Sequence, residues 1–462
     1  MDRTLTPNLL AWLHDPSRRP MVLRGARQVG KTWLVRELAK AAGRELVELN
    51  LERDPRTARP FAQGSARRVL ADLELQLGRA IVAERSILFL DEIQAAPAAL
   101  SSLRWFAEEM PELPVIAAGS LLEFALADPT LRMPVGRITY RHVEPLSFDE
   151  FLQAHGQDPL RERLRAYTPG AALDEAAHDA ATTWYERYSM VGGMPAVVAT
   201  DVARSDPQAC RLLQTDLMTA YRDDFQRYAG RMDTRILDHV LLAVADQLGN
   251  KFVYARVGEG VKQHHATRAL ELLAAARIVT LAPHSTANGL PLGGNVHLRN
   301  KKAILLDVGM AHALLATPAG RSFPRWQQLA DPVRAKLSAQ LAGQQLRALD
   351  SATGAAPALH YWQRSGGRPG EIDYLVQTAQ RIVPVELKAG AAGAMKSLHQ
   401  FMHERSLHLA LRSDTNPPSM QDLAVKTTLG EPTSYRILNL PGYLLWRAAE
   451  LLAAAEPDAG AG

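Results

Sequence analysis

The stretch Met21-Val-Leu-Arg-Gly-Ala-Arg-Gln-Val-Gly-Lys-Thr32 decides how the rest of the chain reads. A short apolar strand, Pro20 to Leu23, runs into Gly25-x-x-x-x-Gly30-Lys31-Thr32, and a helical pattern follows from Trp33 to Ala42. Strand, glycine loop, helix is the order a phosphate-binding loop requires. Glycines at 25 and 30 open backbone angles closed to residues with a Cβ, so consecutive N–H groups can point into one concavity. The helix N-terminus adds its partial positive charge at the same spot. The predicted phosphate cradle is Gly25, Ala26, Arg27, Gln28, Val29, Gly30, Lys31, Thr32 and Trp33. In it Lys31 reaches the β/γ-phosphates and the Thr32 hydroxyl is a Mg²⁺ ligand.

Downstream, Ser86-Ile-Leu-Phe-Leu-Asp91-Glu92-Ile-Gln94 is four apolar residues ending in two carboxylates. This pattern predicts a buried strand with acidic groups at its C-terminal end. Asp91 suits the second metal-facing position, beside Thr32. Glu92 suits the task of orienting or deprotonating a water. The competing reading, a pair that only caps the next helix, needs no ligand. Ser120 ends a further buried strand, Leu113 to Ser120, and either bonds the γ-phosphate or attacking water or caps the strand. Arg137 follows Met133-Pro-Val-Gly and reads equally as a phosphate-sensing arginine or a surface residue. Strands at 44–51, 86–91, 113–120 and 137–143 alternate with helical segments, which predicts a parallel sheet covered on both faces.

With 462 residues the chain has room for about three domains. It is 47% apolar and 22% charged, ordinary values for globular domains. One cysteine, Cys210, excludes an intrachain disulfide and any cysteine-rich metal site. No run is apolar enough for long enough to span a bilayer, and Met1-Asp2-Arg3 opens no signal-peptide core, so a cytoplasmic protein without membrane contact is expected. A net charge of +4 over this length is a weak argument for nucleic acid, so any DNA surface must be a local patch.

The first ~150 residues resemble an AAA-type ATPase core of the strand-catalytic-glutamate kind. They are similar, more narrowly, to a bacterial and archaeal family carrying Gly-x-Arg-Gln-x-Gly-Lys-Thr, Leu-Asp-Glu-Ile-Gln, Gly-Ser, Gly-Arg and Pro-Leu-Ser-Phe-x-Glu-Phe. Here these are Gly25 to Thr32, Leu90 to Gln94, Gly119-Ser120, Gly136-Arg137 and Pro145 to Phe151. The resemblance implies ATP and Mg²⁺ as cofactors and ATP hydrolysis, with Glu92, Lys31, Ser120 and Arg137 as catalytic residues. In that family the C-terminal half is a domain of unknown function, so no partner is identified. The preference for ATP over GTP rests on the resemblance alone.

Beyond the core, Tyr188-Ser-Met-Val-Gly-Gly-Met-Pro195 reads as a turn between two helices. Residues Thr234 to Asp307 have winged-helix spacing: three helices, a Pro/Gly/Ser/Asn-rich loop and a strand. Lys262, His264, His265 and Arg268 on the third helix would suit DNA; packing against the ATPase core is the plainer use. Near the end, Gly370-Glu-Ile-Asp373 and Val385-Glu386-Leu-Lys388 resemble the skeleton of a restriction-endonuclease-like core. Two-residue spacing puts Glu386 and Lys388 on one strand face. The resemblance implies a second metal site of Asp373, Glu386 and Lys388. Ile372 where such sites carry Pro, and Gln340, Gln344 and Gln345 where the preceding helix carries Glu, count against it.

The expected architecture is therefore α/β. An N-terminal P-loop NTPase parallel sheet (1–155) leads through a helical linker (156–230) to a winged-helix-like domain (231–330). A restriction-endonuclease-like α/β module (331–440) and a C-terminal helix with a disordered tail (441–462) complete it. The expected function is an ATP-hydrolysing switch or motor acting on DNA or a protein, as a monomer or an oligomer. The alternatives are an ATP-dependent nuclease or defence-type effector, and an ATP-binding scaffold with little turnover.

Overall fold

Short apolar runs ending in polar loops make short strands, and the first five assemble side by side. The computed structural model describes residues 3–120, 122, 124, 136–228, 230, 232–317, 326–349, 353–364, 366, 370–378, 380–388, 390 and 395–455. Strands β1 (Met21–Arg24), β2 (Glu45–Asn50), β3 (Ser86–Asp91), β4 (Val115–Ala118) and β5 (Thr139–His142) form one sheet in the order β2-β3-β4-β1-β5. Every neighbouring pair is parallel. Around it lie α1 (Thr6–His14), α2 (Lys31–Ala41), α3 (Ala66–Leu77) and α4 (Pro97–Glu109). Alternate residues of β3 serve opposite faces. Ile87 and Phe89 pack with Leu34 and Leu38 of α2, while Leu88 and Leu90 pack with Val69 of α3 and Leu103 of α4. The sheet is thus buried on both sides, as a parallel sheet must be.

A second group of helices follows: α5 (Phe148–Ala154), α6 (Asp158–Ala166), α7 (Glu175–Val191), α8 (Pro195–Arg204) and α9 (Pro207–Tyr228). Helix α5 opens with a reciprocal cap: the Glu150 N–H donates to Ser147 Oγ (3.3 Å) and the Ser147 N–H to Glu150 Oε2 (2.9 Å). Next come α10 (Thr234–Asp246), a 3-10 turn (Tyr254–Arg256), α11 (Gln263–Ala275) and an antiparallel hairpin of β6 (Val279–Ser285) and β7 (Val296–Leu305). Helices α12 (Val308–Leu314) and α13 (Asp331–Arg347) lead to β8 (His360–Gln363), β9 (Glu371–Gln377), β10 (Ile382–Leu387), α14 (Lys396–Arg405), β11 (Leu409–Ser413), β12 (Ser419–Lys426) and β13 (Pro432–Asn439). The chain is described to the end of α15 (Ala448–Ala455).

The hairpin is not a free wing. Through a His284–Tyr361 pairing it extends the C-terminal strands into one eight-stranded mixed sheet, ordered β12-β13-β11-β10-β9-β8-β6-β7. Pairing by sequence neighbours alone could not reveal this, because the contact joins segments 77 residues apart (361 − 284). Helix α3 stops at Leu77 because Gly78 turns left-handed (φ +67°). The expected C-terminal helix begins only at Ala448. The segment from Pro441 begins as a 3-10 turn (Gly442–Arg447), where the Gly442 carbonyl accepts a bond from the Gln345 amide. The expected disordered tail beyond Ala455 and the Met133-Pro-Val stretch lie outside the described residues.

The Gly192-Gly193 turn joins α7 to α8, and it is also where the modules meet. Asp307, fully buried ahead of α12, accepts bonds from the Gly193 N–H (2.7 Å), the Gly309 N–H (2.8 Å) and the Gln344 amide of α13 (2.9 Å). The Gly193 carbonyl accepts from the Leu146 N–H beyond β5 (2.7 Å). A Cβ at 193 would run into the Leu146 backbone. Arg347 of α13 faces Glu144 at 2.8 Å, with side chains 1% and 9% exposed, and donates to the Leu305 and Leu306 carbonyls.

Candidate nucleotide site

The C-terminal ends of β1, β3 and β4 meet at one edge of the parallel sheet, where an open α/β sheet binds its ligands. Residues 25–30 wrap this edge. Gly25 (φ +156°) lies so close to the Val143 carbonyl that no Cβ would fit. Gly30 (φ +91°) caps α2, and Gln28 is also left-handed (φ +65°). A non-glycine residue held there signals a backbone shaped for something other than packing. The loop is braced from behind by groups the motif does not contain. The Arg3 guanidinium donates to the Val29 carbonyl (3.0 Å) and the Glu144 carbonyl (2.5 Å), and pairs with Glu150 (3.0 Å). Tyr221 Oη of α9 donates to the Arg27 carbonyl (2.6 Å), and Asp224 one turn on pairs with the Arg27 guanidinium. Ala26 and Val29 are buried, whereas Trp33 lies at the surface, 37% exposed.

Lys31 points back into its own loop, donating to the carbonyls of Gly25 (2.9 Å) and Ala26 (2.8 Å). Burial pushes its ammonium down to about 8, opposed by Glu92 and Asp91 and reinforced by Arg277 and Arg27. The Thr32 hydroxyl donates to Asp91 Oδ2 at 3.0 Å. Burial raises the Asp91 carboxyl above its ordinary range, partly offset by the Thr32 bond. A hydroxyl and a carboxylate meeting beside the loop is the donor set a Mg²⁺–phosphate complex uses, so the residues present fit that ion. Glu92 stands in a left-handed conformation (φ +51°), so its side chain leaves the strand toward β4. There Glu92 Oε2 accepts bonds from the Ser120 N–H (3.1 Å), Ser120 Oγ (3.1 Å) and the Gln94 amide (2.6 Å). The structure therefore brings Lys31, Thr32, Asp91, Glu92 and Ser120 together. Arg137 instead pairs with Glu108 of α4 at 2.9 Å, about half exposed.

Sequence reasoning missed Arg277, which follows α11 in a left-handed conformation (φ +59°). Its guanidinium lies 3.2 Å from His142 Nε2 at the end of β5. Burial, with Arg277 and Arg24 nearby, drives the His142 ring down to about 3, so it is neutral. The third-helix residues Lys262, His264, His265 and Arg268 are all exposed. In the C-terminal sheet Asp373 Oδ2 accepts from the Leu387 N–H (2.9 Å), and Lys388 pairs with Glu386 (2.7 Å). Gln340 and Gln344 bond backbone groups of residues 305 and 308. Among the described residues, no three His, Cys, Asp or Glu side chains converge to hold a metal, and no helix is long and apolar enough to cross a membrane.

Comparison with known proteins matches three separate segments of the chain. Residues 17–152 match the family described as AAA domain. Residues 182–320 match Domain of unknown function (DUF8612), and residues 336–420 match Domain of unknown function (DUF4143). No curated protein matches the chain. Among solved structures it is similar to C. elegans PCH-2, at TM-score 0.27 and 13% identity over 43% of this chain. The chain spans 61% of the length of that relative. It is also similar to the Aeropyrum pernix ORC1 protein in complex with DNA, at TM-score 0.27 and 17% identity, covering 68% of this chain and 92% of that one. Superpositions this loose transfer neither partner nor activity. The family match and the site geometry fall on the same segment: residues 17–152 form an AAA-type P-loop domain.

Proposed function

We propose that this protein is a Mg²⁺-dependent ATPase whose turnover works as a switch on its winged-helix-like and C-terminal modules. The observation that carries this reading is the convergence of Thr32–Asp91 and Glu92–Ser120 beside the lysine of a glycine loop. Bound Mg²⁺ would supply charge neutralisation and orientation for the β- and γ-phosphates. Thr32 and Asp91 would hold it. Lys31 leaves its two loop carbonyls for phosphate oxygens. Glu92 exchanges its Ser120 and Gln94 donors for a water aimed at the γ-phosphate, and Ser120 is freed to bond that water or the phosphate. Arg137, at the surface beside Glu108, would sense the γ-phosphate of a neighbouring copy or of its own chain.

The switch reading is favoured over an ATP-binding scaffold by how directly the loop is wired to the rest of the chain. Arg3 of the N-terminal segment and Tyr221 of the helical linker bond loop carbonyls, and Arg277 of the winged-helix-like segment bonds His142 on the adjoining strand β5. The exposed row Lys262, His264, His265 and Arg268 leaves DNA as the runner-up among partners. Metal-dependent cutting by Asp373, Glu386 and Lys388 has less support, because resident donors already engage both carboxylates. Steady-state phosphate release tests the proposal. Wild-type protein with Mg²⁺ and ATP should turn over, Glu92→Gln should lose about 10²–10⁴-fold in kcat, and Lys31→Ala should show none. Turnover unchanged in Glu92→Gln would overturn the assignment of Glu92.

A further inference from the structure

Lys302 lies in β7, where the strand is covered on both sides, and its side chain is 1% exposed. An ammonium removed from water needs a full set of acceptors. Here Nζ lies 2.5 Å from Glu371 Oε1 and 3.6 Å from Asp373 Oδ1, and donates to the Asp373 carbonyl at 3.3 Å. The rings of Tyr361 and Tyr374 lie 5.3 and 5.6 Å from it, close enough for cation–π attraction. Two carboxylates, one carbonyl and two ring faces make a closed shell around one positive charge. Three of these groups, Glu371, Asp373 and Tyr374, belong to β9, and Tyr361 belongs to β8. The cation arrives from the winged-helix hairpin.

The rest of the acidic face is equally occupied. Asp373 Oδ2 takes the Leu387 N–H, and Glu386 Oε1 takes Lys388. Helix α13 offers no carboxylate here. Its Gln340 amide bonds both backbone groups of Leu305, and Gln344 bonds the Val308 N–H and Asp307. The residues therefore do not fit a divalent ion at Asp373 and Glu386: three of their four carboxylate oxygens face donors that the protein itself provides.

We infer that Lys302 is the resident counter-cation of the C-terminal module, its ammonium held by Glu371 and by Asp373, a carboxylate that a restriction-endonuclease-like site would need for a divalent metal, so that the two form a socket for strand β7. The module then requires no metal, and the acidic pair serves to fasten the winged-helix hairpin to the C-terminal sheet. This inference is independent of nucleotide binding at the P-loop.

The test uses the full-length, nucleotide-free protein. Mn²⁺ binding is followed by the EPR signal of the free ion, and Lys302 acylation by peptide mass spectrometry with Lys301 as internal reference. Wild type and Asp373→Asn should give the same Mn²⁺ titration. Lys302 should acylate at least tenfold more slowly than Lys301, at a rate that millimolar Mn²⁺ leaves unchanged. Lys302→Met, similar in size but uncharged, should take up Mn²⁺ that wild type does not, and should lose it on adding Asp373→Asn. Mn²⁺ bound by wild type and lost in Asp373→Asn would overturn the inference. So would acylation of Lys302 that accelerates with Mn²⁺, because the metal would then be displacing the lysine. If Lys302→Met fails to fold, as judged by circular dichroism, the two wild-type measurements still decide.

Discussion

Nucleotide binding should take up a proton at alkaline pH, and the reason lies in Lys31. Its ammonium is buried behind the loop and held at about 8, chiefly by desolvation. Two backbone carbonyls solvate it in the meantime. A bound triphosphate replaces those neutral dipoles with formal negative charge, which restores the charged form. The folded protein without nucleotide thus loses this proton near pH 8, and the complex keeps it to a higher pH. The sign follows: above pH 8 the proton must be recovered on binding, so affinity falls as pH rises. From pH 7 to pH 9 the loss is about tenfold, or roughly 1.4 kcal/mol, and the uptake climbs from about 0.1 to about 0.9 proton per nucleotide. Calorimetry of a non-hydrolysable ATP analogue with Mg²⁺, repeated at pH 9 in buffers of different ionisation enthalpy, measures that uptake directly. Lys31→Arg carries a charge that does not titrate in this range, so its weaker binding should show no such slope. No proton uptake at pH 9, or the same slope in Lys31→Arg, would refute the reasoning.

Two further outcomes follow from the buried groups that join the modules. Arg347→Met should cost about 3 kcal/mol in urea unfolding, because it strands Glu144 and leaves the Leu306 carbonyl without its donor. Adding Glu144→Gln should recover part of that loss; simple addition of the two single costs would show that the pair is not coupled. His312 is fully buried and satisfied as a neutral ring, with Nδ1 2.7 Å from Thr317 Oγ1 and Nε2 2.9 Å from the Ser189 carbonyl. Burial lowers it to about 3, so its contribution is whole above the unfolded value near 6.5 and drains away as pH falls toward 3, by about 1.4 kcal/mol per pH unit. Acid unfolding of His312→Gln should be less steep than wild type over that window, and an unchanged profile would argue against a neutral buried ring.

The candidate nucleotide site is readable in the sequence because each part is local. The loop, the strand ending in Asp91-Glu92 and the strand ending at Ser120 are each carried by a few consecutive residues, and parallel packing brings their ends together. What stayed hidden depends on distant segments. Nothing near Arg3 or Arg277 in the chain announces that they reach the edge of the sheet. Nothing in the sequence around Lys302 marks it as buried, since only the eight-stranded sheet brings β8 and β9 to it. The Gly-Gly turn was correctly placed between helices, but its role as a joint depends on Asp307 and Gln344, more than a hundred residues away. The glutamines of α13 stand where the sequence pattern would carry acids; Gln340 and Gln344 bond backbone groups at the end of the hairpin.

A glycine loop that cradles a triphosphate must bind one. Equilibrium binding of radiolabelled ATP to the purified full-length protein in the presence of Mg²⁺ tests this most directly. One nucleotide bound per chain, lost in Lys31→Ala and weakened in Asp91→Asn, is the predicted result. Wild-type protein that retains no ATP, or Lys31→Ala protein that binds it as well as wild type, would contradict it.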